Sequence, residues 1–485
     1  MSEPVRFVCS GQVVTVGRDV PHTMTVLDYL RRQLRRTGTK EGCAEGDCGA
    51  CTVVIGELSD GGGLRYRAVN ACILFVHQLD GKALFTVEDL AEGEKLHPVQ
   101  QAMVDAHGSQ CGFCTPGFVM SLFAYFHQHA APDDDSLKDA LAGNLCRCTG
   151  YRPILEAGRR MFELAQDDRF SRAEAALAAQ LAGLKRSRML RHSTAAGEFI
   201  APGSIAELAE VLAGRPQGET WILAGGTDVG LWVTKQRRSP RSIVYLGRVA
   251  ELQRIADHGD RIEIGAGVTY KDAFAAIQAL HPEFARMLRR LGSEQIRNSG
   301  TLGGNVANGS PIGDSMPAMI ALGATVQLRS RSGSRSLALE DFYLGYRKTA
   351  LQAGEFVESV TVMKPKTDSR FAVYKLSKRF DQDISAVLGA FHVILDGGQV
   401  AGARIGFGGM AAVPARARKT EAALLGRRLA EAEIAPAVAA LAEDFQPLSD
   451  MRASSTYRLL AAQNLLRKFC AEVNEGRRIG VEAAQ

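Results

Sequence analysis

Cysteine is the residue type whose spacing in this chain most clearly indicates chemistry. Ten cysteines occur among 485 residues, and most of them fall between positions 43 and 148. The first residues lack a charged stretch followed by a long apolar one, so we expect no secretory signal and a cytoplasmic protein with reduced thiols. The clustering therefore favours metal binding over disulfide bonds. The clustered residues are Cys43, Cys48, Cys51, Cys72, Cys111, Cys114, Cys146 and Cys148.

The first four cysteines have the spacing of a plant-type 2Fe-2S site, Cys43-x4-Cys48-x2-Cys51 with Cys72 further along. Glycines within the loop EGCAEGDCGAC allow backbone N–H groups to turn toward the sulfur atoms. Structural zinc prefers two short Cys-x2-4-Cys pairs, so a zinc site is the less favoured alternative here. The sequence therefore predicts one iron-sulfur site on this loop.

Short elements are predicted around this loop. Alternating apolar residues predict strands at Val5–Val8 and Val13–Val16, which are joined by a turn at Ser10 and Gly11. A helix is predicted over Met24–Leu34, and a strand over Thr52–Ile55 leaves the cysteine loop. A small sheet crossed by one helix is consistent with a ferredoxin-like domain.

The second four cysteines lie in loops between predicted helices. Helical spacing and capping signals predict one helix over Pro98–Ala106, a second after the N-cap Thr115, a third over Asp135–Ala142 and a fourth from Pro153. In an up-and-down four-helix bundle, the first and third connections lie at the same end, so the four sulfur atoms should converge. The N-terminus of the second helix should favour the thiolate of Cys114. Zinc stays open as an alternative on spacing alone.

The motifs GCAEGDCGAC, QCGFCTPG and NLCRCTGY resemble the two iron-sulfur domains of the molybdenum hydroxylase family, above all its xanthine dehydrogenases. The resemblance implies that the first four cysteines hold one 2Fe-2S cluster and the second four hold another. It also implies that the cluster of the helical domain lies nearest a molybdenum cofactor, while the other cluster relays electrons toward a flavin. Cys9 and Cys470 match no motif and are expected to be ordinary buried thiols. Arg147 and Arg152 are expected either to offset cluster charge, to meet a partner, or simply to be solvated.

Glycine-rich segments mark the middle of the chain. Ile222–Asp228 is typical of a buried strand that enters a glycine turn, and Gly300–Asn305 with Ser310–Asp314 forms a second irregular loop. Such loops present backbone amides to phosphate oxygens. The sequence contains neither a G-x-G-x-x-G opening a helix nor a Walker A motif, so a Rossmann domain is not expected.

The two glycine-rich loops together resemble the FAD domain of the same family, a non-Rossmann fold of the vanillyl-alcohol-oxidase type. The resemblance implies three groups of cofactor contacts. This chain departs from the vertebrate pattern at Leu291, where that pattern has an aromatic residue against the flavin. Gly345–Thr349 and Lys378–Asp383 resemble segments that border the flavin and nicotinamide sites, although charged surface loops are an equal alternative. The implied FAD residues are Leu223, Ala224, Gly225, Gly226, Thr227, Asp228, Val229 and Gly230 at the pyrophosphate, Thr301, Leu302, Gly303, Gly304 and Asn305 at the phosphate and ribitol, and Asp314 and Lys375 as polar contacts.

The expected fold class is a multidomain α+β chain. The C-terminal part should contain strands at Phe391–Leu395 and Ala403–Gly406 and helices over Glu421–Leu441 and Tyr457–Asn474. The predicted domains are 1–84 (ferredoxin-like, β-grasp), 85–165 (four-helix 2Fe-2S domain), 166–194 (a linker without an ordered core), 195–366 (FAD-binding) and 367–485 (C-terminal α+β flavoprotein subdomain).

The resemblance stops where the family's molybdenum-binding part would begin, so we expect that part on a separate large subunit and no catalytic residue on this chain. The implied assembly is a heterotetramer that oxidises hypoxanthine and xanthine to urate and passes electrons through two 2Fe-2S clusters and FAD to NAD. Aldehyde oxidase, carbon monoxide dehydrogenase and aromatic acyl-CoA reductase types are alternatives, and a zinc-stapled scaffold is an alternative of another class.

Charge and hydropathy favour a chain that binds neither nucleic acid nor membrane. The net charge of +5 is small for a chain of this length. The apolar centre of the uncharged run Gly108–Pro132 is far shorter than the roughly 20 residues that cross a bilayer.

Overall fold

The computed structural model describes residues 2–165, 167–215 and 218–478. The chain divides into two compact units. The first takes in the chain up to Ala250 together with Gly292–Gly300, and the second takes in Glu251–Leu291 and the chain from Thr301 onward. Gln166, the first residue of the predicted linker, and residues 479–485 of the predicted C-terminal subdomain lie outside the described residues.

The N-terminal part of the first unit is a five-stranded mixed sheet, which confirms the three strands predicted there. Val5–Cys9 pairs antiparallel with Gln12–Val16 and parallel with Ala83–Phe85. The predicted helix over Met24–Leu34 begins later, as an α-helical turn at Val26–Asp28 that continues as a π-helix over Tyr29–Gln33. The strand order is Gln12–Val16, Val5–Cys9, Ala83–Phe85, Thr52–Leu58 and Leu64–Asn70.

Both faces of this sheet are covered. Val53 and Ile55 pack into one apolar core together with Phe199 and other residues, whereas Val54 packs into a second core together with Phe118. Successive residues of a strand point to opposite faces, so the continuous apolar run in this strand serves both cores.

The predicted four-helix domain is present, with helix bounds within a few residues of those expected. Cys114, and not Thr115, is the N-cap of the second helix, and it makes no side-chain capping bond. Phe118, Leu122 and Phe126 of that helix are buried. The helices are Pro98–Asp105, Thr115–Gln128, Asp134–Leu141 and Arg152–Leu164.

The expectation of a linker without an ordered core was wrong. The segment contains the helix Arg169–Leu184, whose N-cap Asp168 accepts a hydrogen bond of 2.8 Å from the Ser171 N–H, and the strand Leu190–Thr194. Asp168 is also buried against His97, with 2.6 Å between Oδ2 and Nε2. The helix is rich in alanine and buries few large side chains, so its apolar periodicity in the sequence is weak.

A four-stranded sheet follows in the first unit. Gly197–Ala201, Ser242–Tyr245 and Thr220–Leu223 run parallel, and Leu190–Thr194 pairs antiparallel at one edge. The segment after Leu223 therefore leaves the carboxyl end of a parallel strand, where α/β proteins commonly bind ligands. The accompanying helices are Ile205–Ala213, Val229–Thr234 and Glu294–Ser299.

Three buried histidines lie near one another in the first unit. The His22 ring bonds to the Pro240 carbonyl and the His192 ring to the Glu3 carbonyl, while both nitrogens of His77 find no partner among the described residues. Burial, with His192 and His22 nearby, lowers the pKa of His77 well below 6.5.

We expect the thermal midpoint to fall as the pH drops below 6.5, because the unfolded chain then binds a proton that folded His77 does not. This group lowers the free energy of unfolding by up to about 1.4 kcal/mol per pH unit. His77→Leu should flatten the pH dependence of the thermal midpoint, and an unchanged slope would contradict this assignment.

The second unit contains two larger sheets and a two-stranded ribbon. The strands predicted at Phe391–Leu395 and Ala403–Gly406 are confirmed as parts of longer strands. The first sheet has the order Ile255–Asp257, Arg261–Gly265, Phe356–Met363, Thr325–Ser330 and Gly333–Ala338; the second has Ser369–Leu376, Val387–Asp396, Gln399–Gly408 and Ala415–Arg416; and the ribbon pairs Tyr343–Gly345 with Lys348–Thr349.

The helix predicted over Glu421–Leu441 was wrong in extent, because two helices occupy this region. They are separated around Gly426, whose φ of +73° lies in the left-handed region and ends a helical path. The helix predicted over Tyr457–Asn474 is present. The helices of the second unit are Tyr270–Leu280, Pro282–Arg289, Leu302–Asn308, Ser315–Ala321, Arg418–Leu424, Glu431–Asp444 and Ser455–Glu475.

Within the described ranges, none of the helices combines the length and the apolar character that a membrane crossing requires.

Candidate functional site

The first cysteine loop folds around its own sulfur atoms. The backbone N–H groups of Asp47 and Cys48 each lie 3.3 Å from Cys43 Sγ, and the N–H of Cys43 lies 3.3 Å from Cys48 Sγ. Side-chain hydrogen bonds also connect the Cys43 thiol with those of Cys48 and Cys72, and the Cys51 thiol with that of Cys72. The structure therefore brings together the four cysteines that the sequence predicts as one set.

Backbone conformation explains the glycines of this loop. A Cβ on Gly42 would lie 2.7 Å from Cys48 Sγ, and Gly46 has a φ of +79°. Hydrogen bonds from Cys48 and Cys72, and then from backbone N–H groups, hold the pKa of Cys43 below its usual value. A deprotonated thiolate is the form that binds iron.

The second four cysteines meet at one end of the helical domain, as the bundle topology predicts. The Cys111 thiol is hydrogen-bonded to that of Cys148, and the Cys114 thiol to that of Cys146. Thr149 Oγ1 lies 3.2 Å from Cys146 Sγ. A bond from the Phe113 N–H, followed by the Cys148 thiol, lowers the pKa of Cys111.

Cys114 does not behave as the helix dipole alone suggests. Burial, followed by its bond with Cys146, raises the pKa of Cys114 to about 12. Cys114 is half-buried against the apolar core of the helical domain, where desolvation disfavours its charged form.

Each set of four thiols matches the number of ligands that a two-iron cluster uses. In the described part of the chain, no group of three or more His, Cys, Asp or Glu side chains is arranged to hold a metal ion. Hydrogen bonds link the first set in the order Cys48, Cys43, Cys72 and Cys51, and they link the second set as two pairs. A 2Fe-2S cluster divides its four thiolates between two irons. The donor set of soft sulfurs with backbone N–H groups directed at them fits such a cluster.

The two cysteine sets differ in exposure. Cys51 and Cys72 are buried, whereas Cys111 and Cys148 are exposed. Phe113 beside the second set is 49% exposed. Arg147 and Arg152 beside that set are also exposed, while Cys9 and Cys470 are buried as expected.

The two cysteine loops touch directly. The backbone N–H of Leu145, the residue before Cys146, donates a hydrogen bond of 3.0 Å to the carbonyl oxygen of Cys48. One hydrogen bond thus connects the backbone of one set with a cysteine of the other.

The segment Leu223–Gly230 packs against other backbone of the first unit. A Cβ on Gly225 would lie 1.8 Å from the Ser299 carbonyl oxygen, and one on Gly230 would lie 2.6 Å from that of Ile73. Gln78 Nε2 donates to the Ala224 carbonyl at 3.3 Å. These glycines are therefore required by packing within the protein, a role that the sequence pattern did not reveal.

The segment Thr301–Asn305 begins a short helix in the second unit. Thr301 is its N-cap and accepts a bond of 3.0 Å from the Gly304 N–H. A Cβ on Gly303 would lie 2.3 Å from the Cα of Ala266, so this glycine too permits close backbone packing.

Asp314 and Lys375 form a buried ion pair in the second unit. Lys375 Nζ lies 2.6 Å from Asp314 Oδ2 and 2.9 Å from the Arg290 carbonyl, and the Ser385 hydroxyl donates to Asp314 Oδ1 at 2.5 Å. Both charged side chains are buried. The structure brings together two residues that the family resemblance implied only as separate cofactor contacts.

The segments expected near the nicotinamide are exposed in the second unit. Gly345–Thr349 forms the tip of the two-stranded ribbon, and Tyr346 there is 61% exposed. Phe380 in Lys378–Asp383 is also exposed, and the Arg290 guanidinium lies 4.5 Å from its ring centre. Leu291 is half-buried.

Two polar residues near the cysteine loops were missed by sequence analysis. Asn144 and Gln295 are buried and hydrogen-bonded to each other, with 3.1 Å between Asn144 Oδ1 and Gln295 Nε2. No spacing rule connects residues so far apart in the chain.

Comparison with known domain families matches four successive segments. These segments define the class of protein as an iron-sulfur flavoprotein with 2Fe-2S-binding and FAD-binding domains. The matched descriptions are a 2Fe-2S iron-sulfur cluster binding domain (residues 11–77), a 2Fe-2S binding domain (86–159), an FAD binding domain in molybdopterin dehydrogenase (193–365) and a CO dehydrogenase flavoprotein C-terminal domain (372–473).

Individual relatives narrow this class. The xanthine dehydrogenase of Emericella nidulans is 30% identical over 97% of this chain and 39% of its own length. Carbon monoxide dehydrogenase from Oligotropha carboxidovorans is 30% identical, with a TM-score of 0.52 over 55% of this chain and 93% of that one. Quinoline 2-oxidoreductase from Pseudomonas putida 86 is 27% identical, with a TM-score of 0.52 over 57% and 97%. The chain belongs to the molybdenum hydroxylase family, and it spans about two fifths of the xanthine dehydrogenase that it matches.

Proposed function

We propose that this chain is the electron-transfer subunit of a xanthine dehydrogenase. Electrons would pass from a molybdenum cofactor on a large partner subunit through two 2Fe-2S clusters to FAD and then to NAD, during oxidation of hypoxanthine and xanthine to urate. The proposed cluster ligands are the two sets of four cysteines described above. The proposal includes a cytoplasmic heterotetramer of two small and two large subunits, and the domain ranges given above other than the linker.

One observation carries this proposal. Within the first unit, the second cysteine set contacts the first, and the first set contacts the segment Leu223–Gly230. Leu145 beside the second set bonds to Cys48 of the first set. Ile73, the residue after Cys72, lies against Gly230. The chain thus provides a continuous route from an exposed cysteine set to the segment proposed to bind FAD.

The chain's own groups would hold and tune these cofactors. When bound, 2Fe-2S clusters transfer single electrons, and FAD converts them to a two-electron transfer. The N–H groups directed at Cys43 stabilise negative charge on sulfur. Cys51 and Cys72 are buried, so electrostatic interactions on their side of the first set are less weakened by water.

The proposed FAD contacts remain those implied by the family resemblance. They are Leu223–Gly230, Thr301–Asn305, Asp314 and Lys375. The ion pair between Asp314 and Lys375 would also orient these two contacts, because the pair is buried and Asp314 is further hydrogen-bonded to Ser385.

The exposed second set is the proposed meeting point with the molybdenum-binding partner. Cys111 and Cys148 are exposed, and Phe113 and Tyr151 are 49% and 38% exposed beside them. Exposed aromatic side chains of this kind are common at protein interfaces.

A second candidate is the equivalent subunit of another molybdenum hydroxylase. The similarity to a carbon monoxide dehydrogenase and a quinoline 2-oxidoreductase over nearly their whole compared chains supports this candidate. The candidates share cofactors and differ in the substrate of the partner.

Metal and flavin content of the purified chain test the shared part of the proposal. We expect about four irons and one FAD per chain and the broad visible absorption of both. A colourless, zinc-loaded protein without FAD would refute it. Copurification of the partner, followed by NADH formation with xanthine against an aldehyde, carbon monoxide or quinoline, separates the candidates, and no turnover of xanthine would remove the first.

A further inference from the structure

A buried polar network joins the two cysteine loops to the helix Glu294–Ser299. Gln295 Nε2 lies 3.2 Å from Thr52 Oγ1, 3.2 Å from Ser121 Oγ and 3.1 Å from Asn144 Oδ1. None of these four side chains is more than 2% exposed. Polar groups so deeply buried make a rigid connection, because each broken bond leaves an unpaired group.

Asn144 connects this network to both cysteine sets. Its Nδ2 donates to the Gly49 carbonyl at 3.0 Å and to Thr52 Oγ1 at 3.2 Å, and its Oδ1 accepts from the Ser121 hydroxyl at 2.6 Å. Gly49 directly follows Cys48, and Asn144 lies two residues before Cys146. Both loops are therefore held by one side chain.

Three glycines permit this approach. A Cβ on Gly49 would lie 2.2 Å from the Gly143 carbonyl oxygen, and one on Gly117 would lie 2.2 Å from that of Gly49. A Cβ on Gly143 would lie 1.9 Å from Gln295 Oε1. Any larger residue at these positions would push the cysteine loops or the helix apart.

We propose that the Gln295–Asn144 network sets the separation of the two clusters and thereby the rate of electron exchange between them, with Gln295 as a positioning residue. This inference rests on the proposed function, since it needs a cluster on each loop. With a cluster bound at each loop, the step would be a one-electron transfer in which one centre is oxidised and the other reduced, with no bond or proton moved. The network holds the two loops at the distance that allows the hydrogen bond between Leu145 and Cys48.

Replacement of Gln295 by methionine tests this role, because methionine is of similar length and cannot donate hydrogen bonds. Asn298→Met is the matched control. Asn298 lies on the same helix, is 4% exposed, and donates at 2.9 Å to the Ala68 carbonyl of a strand instead of to a cysteine loop. Both variants lose buried hydrogen bonds, so a general loss of stability should affect both.

The readouts on the full-length chain are iron and flavin content, the magnetic interaction between the two clusters by electron paramagnetic resonance after chemical reduction, and the rate of intercluster transfer after flash reduction. Gln295→Met should retain iron and FAD, change the magnetic interaction, and slow transfer by about tenfold, since a misplacement of about 1 Å can slow an enzyme reaction by about a hundredfold. Asn298→Met should leave both readouts at the wild-type level.

An unchanged magnetic interaction and rate in Gln295→Met, or an equal change in Asn298→Met, would overturn the inference. If Gln295→Met does not fold, Ser121→Ala removes one donor to Asn144 and should change the same readouts in the same direction, and no change in it counts against the network. A wild-type chain without iron would refute the proposed function itself, which distinguishes the two failures.

Discussion

The Cys43→Ser variant is expected to lose the first 2Fe-2S cluster and to keep its FAD, so iron should fall from about four to about two atoms per chain. Cys43 Sγ accepts two backbone N–H bonds and also contacts the thiols of Cys48 and Cys72, which makes it the centre of its set. A serine hydroxyl is a harder and less acidic ligand than a thiol, and iron-sulfur clusters select soft thiolates. Turnover of the assembled enzyme should fall by more than about a hundredfold, because the route to the flavin is interrupted.

Iron analysis, visible absorption and the reduced-state paramagnetic resonance spectrum measure this loss. Cys470→Ser is the matched control, since Cys470 is a buried thiol of the second unit that belongs to neither cysteine set. The control should retain all of its iron. Full iron content in Cys43→Ser, or an equal loss in the control, would contradict the assignment of ligands.

The Lys375→Met variant is expected to lose about 3–5 kcal/mol of stability in the second unit and to bind FAD weakly. Removal of the ammonium group leaves the Asp314 carboxylate buried with the Ser385 hydroxyl as its bonded neighbour. A buried carboxylate that loses its hydrogen-bonded counter-charge is costly, which is why breaking such a pair has a larger effect than the pair contributes in total. The double variant Lys375→Met with Asp314→Leu should recover part of the loss.

The thermal midpoint and the flavin content of the purified chain measure both effects. Lys364→Met is the matched control, because Lys364 forms an ion pair of the same kind with Asp257, 2.7 Å apart, at the surface. An exposed pair contributes up to about 1 kcal/mol, so this control should change little. Similar losses in the two variants would show that burial of the Asp314–Lys375 pair is not what matters.

Local signals in the sequence were sufficient for much of the fold. Pro98, Pro116 and Pro153 each stand in the first turn of a helix that the structure contains, because proline is pre-organised for that position. The convergence of the second cysteine set also followed from local signals, since bundle topology places alternate connections at one end.

Interactions between distant parts of the chain were not predictable in this way. Asp314 and Lys375 are 61 residues apart, and Gln295 lies 151 residues from Asn144. Their pairing depends on packing of separate elements, which has no periodicity in the sequence. The helix Arg169–Leu184 was missed for a different reason, because alanine contributes little to an amphipathic pattern.

Glycine shows most clearly where a correct pattern received an incomplete explanation. The family resemblance assigns Gly225 and Gly230 to cofactor binding, and the structure adds that each lies against protein backbone of the first unit. A glycine needed for close approach has the same appearance in sequence whether a ligand or another part of the chain approaches it.

The N-terminal sheet, covered on both faces, limits how this chain can be divided. Its strand Thr52–Leu58 contributes Val53 to one core and Val54 to the other, and these cores include Phe199 and Phe118 from parts of the chain outside the sheet. A fragment cut at a sequence-based boundary would therefore expose apolar surface on two sides. The ferredoxin-like part is therefore not an independent module for engineering. A protein that receives it would also need the parts of the chain that cover the two faces of its sheet.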